Sequence, residues 1–353
     1  MNSSSQSKYP VLVTGIGGGG HGEQILKALS LANSYYLVGA DASEMCANRD
    51  KVDKFSVLPM ANNPSYLESL IALARLHGCK AIFHGSEPEM MVLSEHRDYL
   101  SQLGFYVPVN SSHVINTCQN KASTMNFLSR QGFVVPDYRE ITGSDDLLNY
   151  NRFPVIMKPI RGGGSANVFI AQDENELNLF SNYLLSQFNS FVLQEYVGRP
   201  DQEYTVGVLF GKDGHHINSI AIKRIINNAL SIRTSLPNRT VRKDLGSSLV
   251  ISTGISQGYI GKWPVILEQC ELIAKSLNPT APINIQLRVV DDKVIPFEIN
   301  PRFSGTTSLR AMAGYNEPDI LFRRDVLGQK IDDYFEYSEG LILRSLQENL
   351  IKI

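Results

Sequence analysis

Late in the chain, four side chains of the right types stand at spacings that can hold a cation and a phosphoryl group. Gln286 lies in the run Asn284-Ile285-Gln286-Leu287-Arg288, and Glu298, Asn300 and Arg302 lie in Phe297-Glu298-Ile299-Asn300-Pro301-Arg302. The runs fall on two stretches that read as strands, Ile283–Val290 and Val294–Ile299, joined at Asp291-Asp292. Residues two apart on a strand share a face, so Glu298 and Asn300 point the same way. Gln286 can lie across from them on the hairpin partner. One carboxylate and two amide oxygens suit magnesium, a hard cation that also takes phosphate oxygens, and manganese accepts the same donors. Arg302 would reach that face and offset charge on a transferring phosphoryl group. The competing reading is the polar outer face of an ordinary hairpin. Against it, the flanking Ile285, Leu287, Phe297 and Ile299 mark the opposite face as buried.

A second set lies earlier. Phe153-Pro154-Val155-Ile156-Met157-Lys158-Pro159 is a strand with a cation near its end, followed by Arg161-Gly162-Gly163-Gly164-Ser165 and another strand. Glycines let backbone amides approach phosphates closely, and Lys158 adds a point charge. A mobile hairpin with a solvated lysine is the alternative. Gln194-Glu195-Tyr196-Val197 ends an apolar strand, where backbone N–H and C=O can face an adenine edge, and Glu203 opens the next strand, where a carboxylate can accept from ribose hydroxyls.

Near the N-terminus, Gly15, Gly17 and Gly20 satisfy G-x-G-x-x-G between a strand and a helix, and Asp41 ends the next strand. This permits an anion or a dinucleotide such as NAD. It is not a P-loop, because His21-Gly22 stands where Lys-Ser/Thr would be. A tight turn without a ligand, or a substrate anion, competes with the dinucleotide, for which the second half of the fold is missing.

These groups need positioning elements. Tyr9–Gly15, Tyr35–Ala40 and Ala81–Phe83 read as strands, and Glu23–Ala32 and Leu67–Leu76 as helices, which implies a parallel doubly wound sheet ending near Asn110. A helix over Thr117–Arg130 follows, and then strands at Val155–Lys158, Val168–Ile170, Phe191–Gln194 and Tyr204–Phe210. A helix over Asp173–Leu185 carries Asp173 as its N-cap. Lys212–His215 reads as a hairpin turn, Asn227–Ser256 as a long polar loop, and Trp263–Leu277 as a helix. At 353 residues, with 43% hydrophobic and 19% charged, the chain is sized for two or three packed units. A formal net charge of −2 offers no basic field for nucleic acid. Cys46, Cys79, Cys118 and Cys270 are far apart and read as reduced structural thiols. No apolar run suits a membrane span, and the Ser-rich N-terminal tract lacks an apolar signal core, so a cytoplasmic protein is expected.

The segments PVIMKPIRGGGS, LQEYV and NIQLR…FEINPRFSGTTSLRAMAG resemble the ATP-grasp superfamily, in particular its carbamoyl-phosphate-synthase-like branch. The resemblance runs from Val11 to Gly328. It implies α/β and α+β architecture: a Rossmann-like pre-ATP-grasp domain over 1–112, an N-terminal ATP-grasp lid subdomain over 113–187, and a C-terminal subdomain with the metal site over 188–353. It implies ATP and Mg²⁺ as cofactors, with Lys121 and Lys158 on the phosphates and Gly162, Gly163, Gly164 and Ser165 as the phosphate lid. Glu195, Tyr196 and Val197 become the adenine hinge, Glu203 the ribose acid, Gln286, Glu298 and Asn300 the metal ligands, and Arg302 the catalytic cation. Gln286 departs from the acid that much of the superfamily has there, although the carbamoyl-phosphate-synthase branch shares it. The chain is too short for that branch's duplicated halves, so a stand-alone ADP-forming carboxylate–amine ligase is the expectation. Its small-molecule carboxylate would meet Arg310, with Arg233, Arg239 and Arg242 as alternates. Acceptor contacts are expected from the Gly17–His21 loop and from Gly85-Ser86-Glu87. A synthetase of carboxyphosphate or carbamate, a non-catalytic ATP-binding protein and a dehydrogenase are the competing readings. A homodimer is the base-rate expectation.

Overall fold

The computed structural model describes residues 8–348, so the Ser-rich N-terminal tract lies outside the described residues. Short apolar strands open the chain: β1 (Tyr9–Val13), β2 (Tyr35–Asp41), β3 (Lys54–Val57) and β4 (Ala81–Phe83). They form a parallel sheet in the order β3-β2-β1-β4. The helix His21–Ala32 leaves β1 and covers one face, burying Ile25, Leu26, Ala28 and Leu29. Parallel strands buried on both faces need such near-continuous apolar runs. The helix expected over Thr117–Arg130 is two helices, Ser112–Gln119 and Lys121–Arg130. Asn120 breaks them: its backbone is extended and its side chain accepts from Ser123 N–H, which caps the second helix. Lys121 therefore stands at a helix start, beside the glycine loop.

A second sheet follows, made of β5 (Tyr138–Ile141), β6 (Val155–Pro159), β7 (Phe169–Ala171) and β8 (Phe191–Glu195), in the order β5-β8-β6-β7. Helix Glu174–Gln187 packs on it, with the Asp173 side chain accepting from Glu176 N–H at 2.9 Å. The largest sheet contains β9 (Glu203–Phe210) and β10 (His216–Arg224). β11 (Ile232–Pro237) and β12 (Ser248–Ser252) form a separate two-stranded ribbon. The expectation of an irregular loop over Asn227–Ser256 is corrected here. The run Ile232-Arg233-Thr234-Ser235-Leu236-Pro237 alternates in burial along its length, which is strand periodicity. β13 (Gly258–Gly261), β14 (Ile283–Val290), β15 (Lys293–Asn300) and β16 (Gly340–Ile342) complete the large sheet, in the order β15-β14-β9-β10-β13-β16. β14 and β15 turn at Asp291 and Asp292, both in the left-handed region with φ of 48° and 60°.

One apolar core joins the first sheet to the last. Val11, Ile25, Leu29 and Phe83 share a cluster with Leu209, Ile217, Phe303 and Phe322. Polar ties cross the same boundary: Tyr35 Oη donates to Asp319 at 2.7 Å, and Asn110 Nδ2 donates to the carbonyls of Pro282 and Pro301 at 3.2 and 3.0 Å. Cys46, Cys79, Cys118 and Cys270 are all buried and unpaired. Among the described residues, no helix is long and apolar enough to cross a membrane.

Arg310 belongs to this scaffold. It is 1% exposed. Its Nη1 donates to Glu317 at 2.9 Å, its Nη2 donates to Asn284 Oδ1 at 2.7 Å, and its guanidinium fills the space over Gly207. The expectation that Arg310 meets a substrate carboxylate is corrected: Glu317, seven residues on, already supplies that carboxylate. An apolar helix face carrying one arginine looks the same in sequence whether its partner is a ligand or a buried acid. Arg310→Met should lower stability by about 3–5 kcal/mol, because Glu317 is left charged in the interior. Chemical denaturation measures this, and Arg310→Met with Glu317→Gln should recover part of the loss.

Candidate functional site

The two glycine-flanked strands and the polar hairpin meet around one cleft of about 800 Å³, including its open mouth. Lys121, Lys158, Arg161, Gly162, Gly163 and Ser165 line one wall; Gln286, Phe297 and Glu298 line the other. Glu195, Tyr196 and Val197, where the chain leaves β8, line its inner end with Ile156, Val168 and Ile251. The mixture of apolar walls with few polar groups matches a small-molecule site. Gly164 lies in the same loop with φ of +65°, next to Ser165, whose own φ is +56°.

The loop is folded over the cleft. Ser165 Oγ donates to the Ser252 carbonyl on β12 at 2.7 Å, and Lys121 Nζ donates to the Gly162 carbonyl at 2.7 Å. The β11–β12 ribbon thus serves as the far wall on which the loop rests.

Gln286 stands opposite Glu298, and Asn284 opposite Asn300. Asn300 Nδ2 donates to Glu298 Oε1 at 2.9 Å, and Arg302 Nη2 donates to Asn300 Oδ1 at 3.2 Å and to Glu87 Oε1 at 2.9 Å. Asn300 and Glu298 also border a smaller adjoining hollow with Glu87, Lys121 and Arg161. The hairpin turns three oxygen-bearing side chains to one side. These are hard donors, and one carboxylate with two amides leaves room for phosphate oxygens on an octahedral cation. The donor set therefore fits Mg²⁺. Among the described residues, no cluster of three or more His, Cys, Asp or Glu side chains offers a rival metal site.

Lys158 is buried, and its Nζ donates to the Phe297 carbonyl at 3.2 Å. Burial pulls its pKa down to about 7, Lys121 adds to this, and Glu298 opposes it. A cation held so close to neutrality gains most from a polyanion placed beside it.

Glu203 borders the cleft, but its carboxylate is saturated. Oε1 accepts from Arg224 Nη1 and Ser252 Oγ, both at 2.6 Å, and Oε2 accepts from Arg288 Nε and Nη2 at 3.3 and 3.1 Å. Burial alone would raise its pKa, but the charges of Arg224 and Arg288 outweigh this and hold it below the ordinary value. Glu203 thus borders the cleft where a ribose-binding acid is expected, with its carboxylate held by Arg224, Ser252 and Arg288. A carboxylate has roughly four lone-pair sites, and here arginines and a serine fill them. Arg288, which nothing in its sequence context marks as a site residue, does more: its Nη1 also donates to the carbonyls of Val197 and Gly198, at 3.0 and 3.1 Å, and its guanidinium lies 4.7 Å from the Tyr196 ring centroid. The Tyr196 hydroxyl bonds both the N–H and the carbonyl of Val250. The Tyr196 side chain is thus structural, and only its backbone is left to face the cleft.

Two of the alternate arginines are engaged elsewhere. Arg239 pairs with Glu176, and Arg242 pairs with Asp244 and with Glu195 at 3.3 Å. Arg233 is exposed on β11. In the first glycine loop, Gly17 N–H donates to Asp41 Oδ2 at 2.7 Å and Gly19 N–H donates to Glu23 Oε2 at 2.7 Å. Asp41 braces the loop itself, so the acid that a dinucleotide's ribose requires is already spent.

Comparisons with known proteins bear on the family and the fold. The ATP-grasp domain model matches residues 118–306, and the PylC-like, N-terminal domain model matches residues 11–108. A D-alanine–D-alanine ligase of Bacillus anthracis is 28% identical over 177 residues, covering 48% of this chain and 55% of that protein. The alpha-aminoadipate–LysW ligase LysX of Sulfurisphaera tokodaii is 31% identical over 112 residues, covering 29% of this chain and 39% of that protein. The chain thus spans about half the length, or less, of these curated relatives. Among solved structures, an L-amino acid ligase from Bacillus licheniformis superposes with a TM-score of 0.62 at 14% identity, over 91% of this chain and 74% of that one. A biotin carboxylase from Campylobacter jejuni in complex with β,γ-ATP gives 0.61 at 14% identity, over 91% and 71%. At such identities the superpositions bear on the fold alone. The sequence model spans more than half of the chain, and on that ground the chain belongs to the ATP-grasp family.

Proposed function

We propose that the chain is an ATP- and Mg²⁺-dependent ligase that activates a small-molecule carboxylate as an acyl phosphate and passes the acyl group to an amine, giving ADP and phosphate. The observation that carries this reading is the convergence of Lys158, Gln286 and Glu298 on one lidded cleft, with Asn300 and Arg302 at its edge. The ligase names of the curated relatives and of the solved neighbour support the reaction class.

In this reading the adenine lies between Ile156, Val168 and Ile251, with its edge on the backbone of Glu195–Val197. Lys121 and Lys158 hold phosphate oxygens, and the amides of Gly162–Ser165 close over them. Gln286, Glu298 and Asn300 would hold magnesium, which when bound supplies charge neutralisation between the β- and γ-phosphates. Arg302 steadies the transferring phosphoryl group, and Glu87 and Asn300 hold its guanidinium in place. The closed loop excludes water that would otherwise hydrolyse an acyl phosphate. The amine enters from the side of the first sheet, past Gly17–His21 and Gly85–Glu87. An amino acid, or a peptide-type partner, is the substrate class that the names of the relatives support.

ADP release across a panel of amino acids, offered as carboxylate and as amine with Mg-ATP, tests the reading. A carboxylate-dependent signal that rises with an amine is expected, and ADP release indifferent to every carboxylate would sink it. Glu298→Ala should cut turnover by about 1,000-fold or more while leaving the denaturation midpoint near wild type. Lys158 adds a pH signature. Its pKa near 7 leaves it mostly uncharged in the free protein above neutrality, and a triphosphate favours the charged form. ATP binding at about pH 8 should therefore take up close to one proton, and at about pH 6 this uptake should vanish because the lysine is already charged. Calorimetry in buffers of different ionisation enthalpy reads the uptake, and Lys158→Met should abolish the difference.

A further inference from the structure

The first sheet has its strand order reversal between β1 and β4, and open parallel sheets form a crevice at the carboxyl ends of such a pair. Two histidines stand there. His21 is the first residue of the helix after the β1 loop, and His84 directly follows β4. His84 is 0% exposed and His21 6%. His21 Nε2 and His84 Nδ1 are 3.3 Å apart, with the rings edge to face. The other nitrogen of His84, Nε2, is buried and has no hydrogen-bond partner among the described residues, and neither has Arg302 Nε. Arg302 is the principal charge acting on both rings. Orphaned buried polar atoms are uncommon and mark a missing partner.

The proton in the His21–His84 contact can sit on either ring, and the choice decides what His84 Nε2 offers. If His84 Nδ1–H donates to His21, Nε2 is a bare lone pair. If His21 donates, Nε2 becomes a second unfilled donor near the unfilled Arg302 Nε–H. The field of the guanidinium favours the lone pair. We propose that His84 Nε2 is the hydrogen-bond acceptor for the attacking amine, with His21 fixing the ring's tautomer. This rests on the ligase reading above. It adds that the acceptor binds as an uncharged amine, N–H toward His84, at the switch point facing Arg302.

Burial and Arg302 hold His84 far below the usual imidazole range, at about 3, and keep His21 well below it too, so both rings stay neutral in the free protein. Glu89 does not compete, since its Oε2 already accepts from Gly85 N–H and Ser86 Oγ, and Glu87 is tied to Arg302. The step balances without outside acid or base. The amine nitrogen, held by an N–H on Nε2, forms the C–N bond, the acyl C–O bond to phosphate breaks, and one N–H proton goes to the departing phosphate. Amide and hydrogen phosphate are the products.

The test compares two nucleophiles on one acyl phosphate. An amino-acid panel supplies the carboxylate, the same panel supplies the amine, and concentrated hydroxylamine traps the acyl phosphate as hydroxamate. H84N keeps a polar group at the Nδ1 position facing His21 but has nothing at the Nε2 position. H84Q places an acceptor oxygen near Nε2. The ratio of amide to hydroxamate should fall about 100-fold in H84N and return to within about 10-fold of wild type in H84Q. A merely structural histidine predicts the reverse order or a common fall of both products, and either result overturns the inference, as does an unchanged ratio in H84N. Absence of any hydroxamate from the wild-type protein with every carboxylate would instead overturn the ligase reading beneath it.

Discussion

The antiparallel register of β14 and β15 is the constraint on which the site depends. Pairing Gln286 with Glu298 and Asn284 with Asn300 puts the donors on one face and Ile285, Leu287 and Ile299 on the other. A slip of one residue would turn Glu298 and Asn300 into the core, at a cost no local rearrangement could offset. The ladder is also irregular at one point: Glu298 faces Gln286, but the next pair is Leu287 with Pro296. Phe297 is the extra residue of this bulge, and Pro296 has no N–H to give the ladder. The carbonyl of Phe297 is the group that meets Lys158 Nζ. One bulge thus connects the metal-donor hairpin to the phosphate lysine.

Charge in the cleft is arranged in two ways. Arg224, Arg288 and Glu203 form a closed buried set, in which each donor aimed at the carboxylate finds an oxygen. Such a set fixes geometry and offers nothing to a ligand: Arg288 clamps the carbonyls of Val197 and Gly198, the segment that leaves β8 along the cleft. Lys158 is the opposite case. It is buried with one carbonyl partner, near a like charge, and its charged form is held at a disadvantage. The closed set is scaffold, and the unsatisfied lysine is where binding energy from a polyanion can be collected.

Much of this was legible in the sequence, and the failures share a cause. Strand periodicity located β1, β2, β4, β8, β9, β14 and β15 to within two residues of each end, because apolar runs bounded by Gly, Asp and Asn carry their own punctuation. That Gln286, Glu298 and Lys158 would face one cleft was legible because side-chain alternation and a terminal lysine are local facts. Arg310 was misread, and Arg288 passed over, because the fold brings their partners to them: Glu317 and Asn284 lie 7 and 26 residues from Arg310, and Glu203 lies 85 from Arg288. A buried arginine or glutamate looks the same in sequence whether it meets a ligand or an internal counter-charge. The β11–β12 ribbon was missed because Asn, Arg, Ser and Gly around it outweighed a short alternation. The break at Asn120 was missed because its cap lies inside an otherwise continuous helical pattern.

The first glycine loop shows how one pattern can serve different physics. Two of its amides, those of Gly17 and Gly19, are spent on the side chains of Asp41 and Glu23 and are not free for a pyrophosphate. What the glycines provide is proximity. A Cβ on Gly85 would stand 2.0 Å from the Thr14 carbonyl oxygen, and one on Gly22 would stand 2.4 Å from that of Gly15. The ends of β1 and β4 and the start of the following helix are in backbone contact, closer than any side chain permits. That contact brings His21 and His84, 63 residues apart in sequence, within hydrogen-bonding distance. An alanine at either glycine would force the two segments apart and separate the rings. The glycines are therefore required by what they bring together, and the spacing that resembles a dinucleotide fingerprint follows from the same strand-to-helix turn.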